Sequence, residues 1–157
     1  MDEFFWKDFC DYYLEIVKER LYQPEKHGYE ERRSAQYALY YCMLNILKLY
    51  AIYVPHITEH IYQGFFRQNE NSISIHKLSW ETEEEIDDDI ILFGERLKDV
   101  IAETRKYKTE NALSMKAEIE EVTIKTDEKF LELFNRTTKD IKACCRAKKI
   151  IISPVEA

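Results

Sequence analysis

Over residues 30–54 apolar and aromatic side chains fall on nearly every side of one helix. Leu39, Cys42, Met43, Ile46, Leu49, Tyr50 and Tyr53 share one face, and Tyr37, Tyr41, Leu44 and Leu47 occupy another. A helix that is apolar all round has to be packed on more than one side, so the segment belongs at the centre of a helical bundle. Its neighbours in sequence suit that place. Residues 2–22 repeat Phe5, Phe9, Tyr12, Tyr13, Ile16 and Val17 at helical spacing, while Lys7, Asp11, Glu15 and Lys18 form a narrow polar stripe. Gln23, Pro24 and Gly28 end that helix. Pro55 suits the first turn of a third helix reaching residue 66, because proline there gives up no needed donor.

The pattern changes beyond this bundle. Residues 72–78 alternate polar and apolar, as an extended segment would. Residues 81–89 are acidic and read as a solvated linker or a helix start, since acids favour a helix N-terminus. Ile86, Ile90, Phe93, Leu97, Val100, Ile101 and Thr104 then mark the inner face of a fourth helix, despite Gly94 within it. A strand over 118–126, a helix over 127–143 with Phe130, Leu133, Phe134 and Ile141 inward, and a strand over 148–153 complete the chain. The fold class expected is mainly α, with a partial helical bundle over 1–80 and a helix plus small α+β unit over 81–157.

Composition removes several function classes. No apolar run approaches the roughly 18 residues of a membrane span, and the acidic, aromatic start does not resemble a secretory signal; the expected compartment is the cytoplasm. With three glycines in 157 residues there is no Gly-rich phosphate loop. Cys10, Cys42, Cys144 and Cys145 are too irregularly placed for a disulfide framework or a zinc site. Cys10 and Cys42, in apolar surroundings, read as core. His56 and His60 stand four apart on one helix face, but no third ligand accompanies them, so no metal is expected. The formal charge of −7 argues against general nucleic-acid binding. Its distribution softens the objection, because residues 81–95 carry eight acids and no base while residues 96–149 carry fourteen bases against ten acids.

The wording FFWKDFCDYYLE followed by IVKERLY resembles the anticodon-binding helical bundle of class I aminoacyl-tRNA synthetases, and within that class the valine enzymes. Two further passages agree, in the expected order. SAQYALYYCMLNILKLYAIYVPHITEHIYQ with SISIHKLSW looks like the long bundle helix, its turn and a short segment ending in Trp, and RKYKTENALSMKAEIEEVTI is similar to the helix-to-strand passage that follows. The resemblance covers residues 4–124 and is loose thereafter.

That resemblance implies a non-catalytic fragment, or a stand-alone relative, that binds tRNA, valine tRNA in particular, and positions it for aminoacylation. The HIGH and KMSKS sequences of a catalytic class I domain are absent, so no catalytic residue or cofactor is expected here; ATP would bind a separate catalytic domain, itself an expected partner. The helix containing FCDYYLE contributes in such enzymes to the pocket where anticodon bases splay out, which makes Asp11, Leu14 and Lys18 the candidate base contacts. Leu14 is equally a packing residue by its periodicity. Arg105, Lys106 and Lys108 are the candidate phosphate contacts, although bases near a helix C-terminus also follow from the helix dipole. The resemblance also implies a preceding pair of bundle helices and, in many bacterial enzymes, a coiled-coil arm, neither of which this sequence includes. An uncovered apolar face of the second helix, and with it self-association, is therefore expected. The rival reading is a protein-interaction or scaffold module, derived from such a bundle, that no longer binds RNA.

Overall fold

The computed structural model describes residues 2–80 and 85–155. The chain is mainly α-helical with a small C-terminal α+β unit, in line with the pattern above. Its first helix, α1, has two parts: Phe4–Tyr13 is π-wound, with the Leu14 N–H donating to the Phe9 carbonyl five residues back, and Leu14–Tyr22 is an ordinary α-helix. Periodicity alone predicts one α-helix here. Within the π-wound part Phe5, Phe9 and Tyr13, spaced four apart, stack with centroids 6.4 and 6.0 Å apart. Such ring contacts contribute about 0.5–1.5 kcal/mol each, which helps sustain a winding otherwise confined mostly to single turns.

The polar loop expected after Tyr22 contains a one-turn helix, α2 (Pro24–His27), closed by Gly28 at φ 125°. An L side chain is disfavoured there, and a Cβ would run into the Glu31 carboxylate. Then come α3 (Tyr29–Tyr50) and α4 (Pro55–Phe65), the latter with Pro55 in its first turn. Leu44, Leu47 and Ala51 meet Tyr62, Phe66 and Ile75 in a first core. Tyr62 is fully buried, and its hydroxyl donates to the Ser72 carbonyl at 2.7 Å.

Residues 72–78 do not form the expected extended segment throughout. Ile75–Lys77 is a 3₁₀ turn. Local hydrogen bonds explain the departure: the Ser74 hydroxyl accepts from the His76 N–H, and Glu59 accepts from both the Ser74 hydroxyl and the Ile75 N–H at 2.9 and 3.0 Å. With its donors met locally, the segment has no need of a partner strand. Lys48, buried in α3, donates to the Ser79 carbonyl and lies 4.6 Å from the centre of the Trp80 ring, pinning the end of this passage.

Of the acidic 81–89 segment, residues 81–84 lie outside the described residues. Asp87 caps α5 (Asp88–Glu110) by accepting from the Ile90 N–H, and Asp88 and Asp89 fill its first turn, as the helix dipole favours. Phe93, Leu97, Ile101 and Thr104 face inward as expected, whereas Ile86 and Ile90 are exposed. Lys129 reaches Asp89 of that first turn at 2.5 Å without covering its apolar residues. After α5 the chain forms β1 (Ile119–Thr126), α6 (Leu131–Cys145) and β2 (Ala147–Pro154). The strands pair in parallel, from Ile119 opposite Ala147 to Thr126 opposite Pro154. A parallel pair needs a crossover, which α6 supplies.

The second core gathers Phe93, Leu97 and Ile101 of α5, Ile119 and Ile124 of β1, and Phe130, Phe134, Ile141, Cys145 and Ala147. Tyr12 and Ile16 of α1 pack against it. The first helix thus leans on the C-terminal unit as well as on α3. Cys10 and Cys42, expected in the core, are half-buried; the buried cysteine is Cys145.

Candidate nucleic-acid interface

Helices α1, α5 and α6 enclose a cleft of about 720 Å³ lined by the bases Lys18, Arg105, Lys108, Lys116 and Arg146, the acids Glu15 and Glu19 and the Tyr22 ring, over a floor that includes Ile101, Thr104 and Cys145. Each wall is held in place by a polar contact between distant parts of the chain. Arg105 donates to the Asp11 carbonyl at 2.9 Å and stacks 5.0 Å from the centre of the Tyr12 ring, fastening α5 to α1. Lys98, two turns earlier on α5, bridges Asp8 and Glu95 at 2.6 and 2.7 Å along the same seam. On the other side Arg20 forms a two-pronged ion pair with the buried Asp140 of α6, a geometry suited to a planar guanidinium. Buried His27 sits between Asp140 and Glu19, 2.8 Å from the Glu19 carboxylate. Burial works to raise the Glu19 pKa, but the His27 hydrogen bond and the Lys26 charge outweigh it and hold the carboxyl below its ordinary value.

The six residues singled out in the sequence separate in space. Lys18 and Arg105 come together on the cleft, Lys18 exposed and 2.5 Å from Glu15. Asp11 is exposed and adjoins the cleft through the carbonyl that Arg105 holds. Leu14 is half-buried and Lys106 is exposed, 3.9 Å from Glu110; neither lines the cleft. Lys108 overturns its assignment as a phosphate contact. It is 2 % exposed, and its ammonium donates to the carbonyls of Met115, Ala117 and Cys145 at 3.2, 2.8 and 2.9 Å. Burial pushes its pKa down. Lys108 therefore closes the C-terminus of α6 and ties the loop after α5 to it, with no donor left for a ligand.

Tyr22, Lys116 and Arg146 are the cleft residues that the sequence reading missed. Tyr22 carries a signal in retrospect: it lies off the apolar face of α1 at the helix end, and it is 78 % exposed. An exposed ring in a cleft that also carries cations offers a stacking surface for an unpaired base. Lys116 and Arg146 fall in loop and cap positions where no periodicity marks them. Burial, assisted by Cys145, pushes the Cys144 thiol up to about 11, which disfavours the reactive thiolate at neutral pH. Among the described residues no cluster of His, Cys, Asp and Glu is placed to hold a metal ion, and no helix is long and apolar enough to cross a membrane.

The family model for the anticodon-binding domain of tRNA ligase matches residues 1–124. The chain belongs to that family. The anticodon-binding match takes in α1, α5 and the start of the sheet, so two of the three cleft walls lie within it and α6 lies beyond. Curated relatives carry the likeness further. The chain is 35% identical over 153 residues to a valine–tRNA ligase of Methanopyrus kandleri, covering 96% of this chain and 16% of the relative. It is 34% identical over 151 residues to that of Thermococcus kodakarensis, covering 95% and 17%. A Wolbachia pipientis valine–tRNA ligase matches at 37% over 153 residues, 96% of this chain and 17% of the relative. The chain thus spans about a sixth of the length of these relatives, and it matches a valine-enzyme anticodon-binding region.

Proposed function

We propose that this domain binds tRNA, valine tRNA in particular, and positions its anticodon end while a separate catalytic domain performs aminoacylation. The observation that carries this reading is the cleft between α1, α5 and α6, which Lys18, Arg105, Lys116 and Arg146 line together with the exposed Tyr22 ring and the acids Glu15 and Glu19. Single-stranded loops are recognised through stacked, unpaired bases and through cations that neutralise the flanking phosphates. Tyr22 would supply the stacking surface, Lys18 and Lys116 the phosphate contacts, and the exposed Asp11 carboxylate an acceptor for a base amino group. Arg105 acts as a positioning residue, since its guanidinium is engaged by Asp11 and Tyr12. Nothing in this role requires a cofactor; ATP belongs to the catalytic domain, and the setting is the cytoplasm.

The test is binding of the purified chain to valine tRNA and to isoleucine tRNA at low and moderate salt. Preference for valine tRNA, reduced by Lys18→Gln or Tyr22→Ala and abolished by the pair, supports the reading. Equal binding of both tRNAs, unaffected by either substitution, overturns it.

A second reading rests on a separate observation. Leu49, Ile52, Tyr53 and Ile57 are exposed at the corner between α3 and α4, an apolar patch of the kind that marks a protein contact. A scaffold module would keep this corner and lose RNA binding, so undetectable binding at low salt would favour it.

A further inference from the structure

A second groove, of about 710 Å³, runs beside the cleft over the surface of the C-terminal unit. Lys26 of α2, Lys139 and Lys142 of α6, Arg146, and Lys148 of β2 line it, against the acids Glu19 and Glu118. Arg146 lines both hollows, so the two form one continuous surface. We infer that this groove is a phosphate-tracking surface for the backbone of the same RNA whose loop enters the cleft, with four of its five cations contributed by the part of the chain beyond the family-matched residues 1–124.

Three features favour a polyanion over a merely solvated helix end. First, the cations of the consecutive α6 and β2 are joined by Lys26 of α2, an element distant in sequence, in a chain whose formal charge is −7. Second, the helix end itself is already satisfied: the Cys145 carbonyl accepts from Lys108, and the Ala143 and Lys142 carbonyls accept from the Arg146 N–H. The outer cations are not needed to balance the dipole of α6. Lys142 and Arg146 have no ion-pair partner among the described residues, and Lys139 reaches only the Lys26 carbonyl at 3.5 Å. Lys148 and Lys26 are the exceptions, held 2.6 Å from Glu120 and 3.5 Å from Glu19. Third, Arg146 occupies a left-handed position, φ 54° and ψ 44°, directly after α6. Glycine is the residue that fits such a helix end without strain. An arginine there keeps a charge where the backbone alone would favour none.

This inference rests on the proposal that the domain binds tRNA, and the experiment separates the two. The chain, a groove variant (Lys139→Gln, Lys142→Gln and Arg146→Gly) and a cleft variant (Lys18→Gln and Tyr22→Ala) are titrated across a salt series with valine tRNA and with the same tRNA carrying a changed anticodon. The groove variant is expected to bind both RNAs more weakly by the same factor, roughly tenfold, with a log affinity against log salt slope shallower by about two to three units. Its anticodon preference stays that of the parent. The single variant Arg146→Gly is expected to melt at or above the parent temperature while still losing affinity, which excludes misfolding as the cause. A groove variant with the parent's affinity and slope overturns the groove and leaves the anticodon reading intact. Parent binding that ignores the anticodon, yet weakens in the groove variant, keeps the groove and removes the anticodon reading. A parent that binds neither RNA at low salt overturns both.

Discussion

The two cores of this molecule treat their apolar residues differently. The C-terminal core takes one face from each of α5, β1 and α6 and leaves mostly polar residues outside, so Phe130, Phe134 and Ile141 are 1% exposed. The α3–α4 core draws on a helix with apolar residues on every side; Leu44 and Leu47 are buried against α4 and Ile46 on another side, yet other apolar residues of this region stay bare. Tyr37, Ile52 and Tyr53 are 71%, 80% and 75% exposed. Amphipathic helices state in their sequence how much partner surface they need. By that measure the C-terminal unit has its partners within this chain, and α3 carries more apolar surface than this chain covers.

If the contrast is real, truncation in the two regions should differ sharply. The largest effect is expected from Phe134→Ala, which removes a ring packed edge-on against Phe93 with centroids 4.9 Å apart. Loss of such a buried aromatic costs about 3–5 kcal/mol, readable in the midpoint of urea unfolding. Asp140→Asn should come next, because it cuts the link between α1 and the C-terminal unit. Breaking a buried pair costs about 3–5 kcal/mol, but Arg20 keeps access to water at 23% exposure, so about 2 kcal/mol is the expected loss. A loss near zero would mean that α1 does not depend on α6, and that the two cores are independent.

The same contrast explains what the sequence disclosed. Phe93, Leu97, Ile101, Phe134 and Ile141 were legible because each sits on a single periodic face, and the strand–helix–strand order followed from the change of period. The π-wound start was not, since Phe5, Phe9 and Tyr13, spaced four apart, suit either winding and stack as Tyr37 and Tyr41 do in α3. The candidate site was half legible. Lys18 could be found from the polar stripe and the family wording, yet its neighbours Lys116 and Arg146 come from positions that only the tertiary fold brings near. Lys108 was misread for a related reason: charge in a sequence carries no sign of burial, and three carbonyls from separate segments converge on it.

A smaller effect should separate the regions by pH. Glu59 of α4 accepts from Gln63, Ser74 and the Ile75 N–H, at 2.6, 2.9 and 3.0 Å. Burial pulls its pKa up, but these hydrogen bonds prevail and hold it below its ordinary 4.5. The unfolded chain therefore binds the proton first as pH falls, so this contribution is full above pH 4.5 and is lost as pH drops through the lower folded value. Glu59→Gln should cost about 1 kcal/mol at neutral pH and flatten the acid limb of the stability curve for the α3–α4 region. Unchanged acid sensitivity would place the responsible carboxylates elsewhere.

The smallest change in stability, and the sharpest test of the contrast, is expected at the bare corner. Ile52 and Ile57 are 80% and 53% exposed, so Ile52→Ser with Ile57→Ser removes little buried area and should shift stability by no more than about 0.5 kcal/mol. The consequence should appear in association instead. An apolar corner that finds no cover within the chain can find it in a second copy, which predicts concentration-dependent sedimentation that the double variant abolishes. The opposite result is equally informative. A double variant that loses several times the expected stability would mean that these side chains are packed in solution, and that α3 is satisfied within a single chain. A parent that sediments as a monomer at every concentration, with stability unaffected by the substitutions, would mean that the corner tolerates water. The excess of apolar residues on α3 would then point to a contact with a different partner, and the comparison between the cores would become one between a self-sufficient unit and a docking unit.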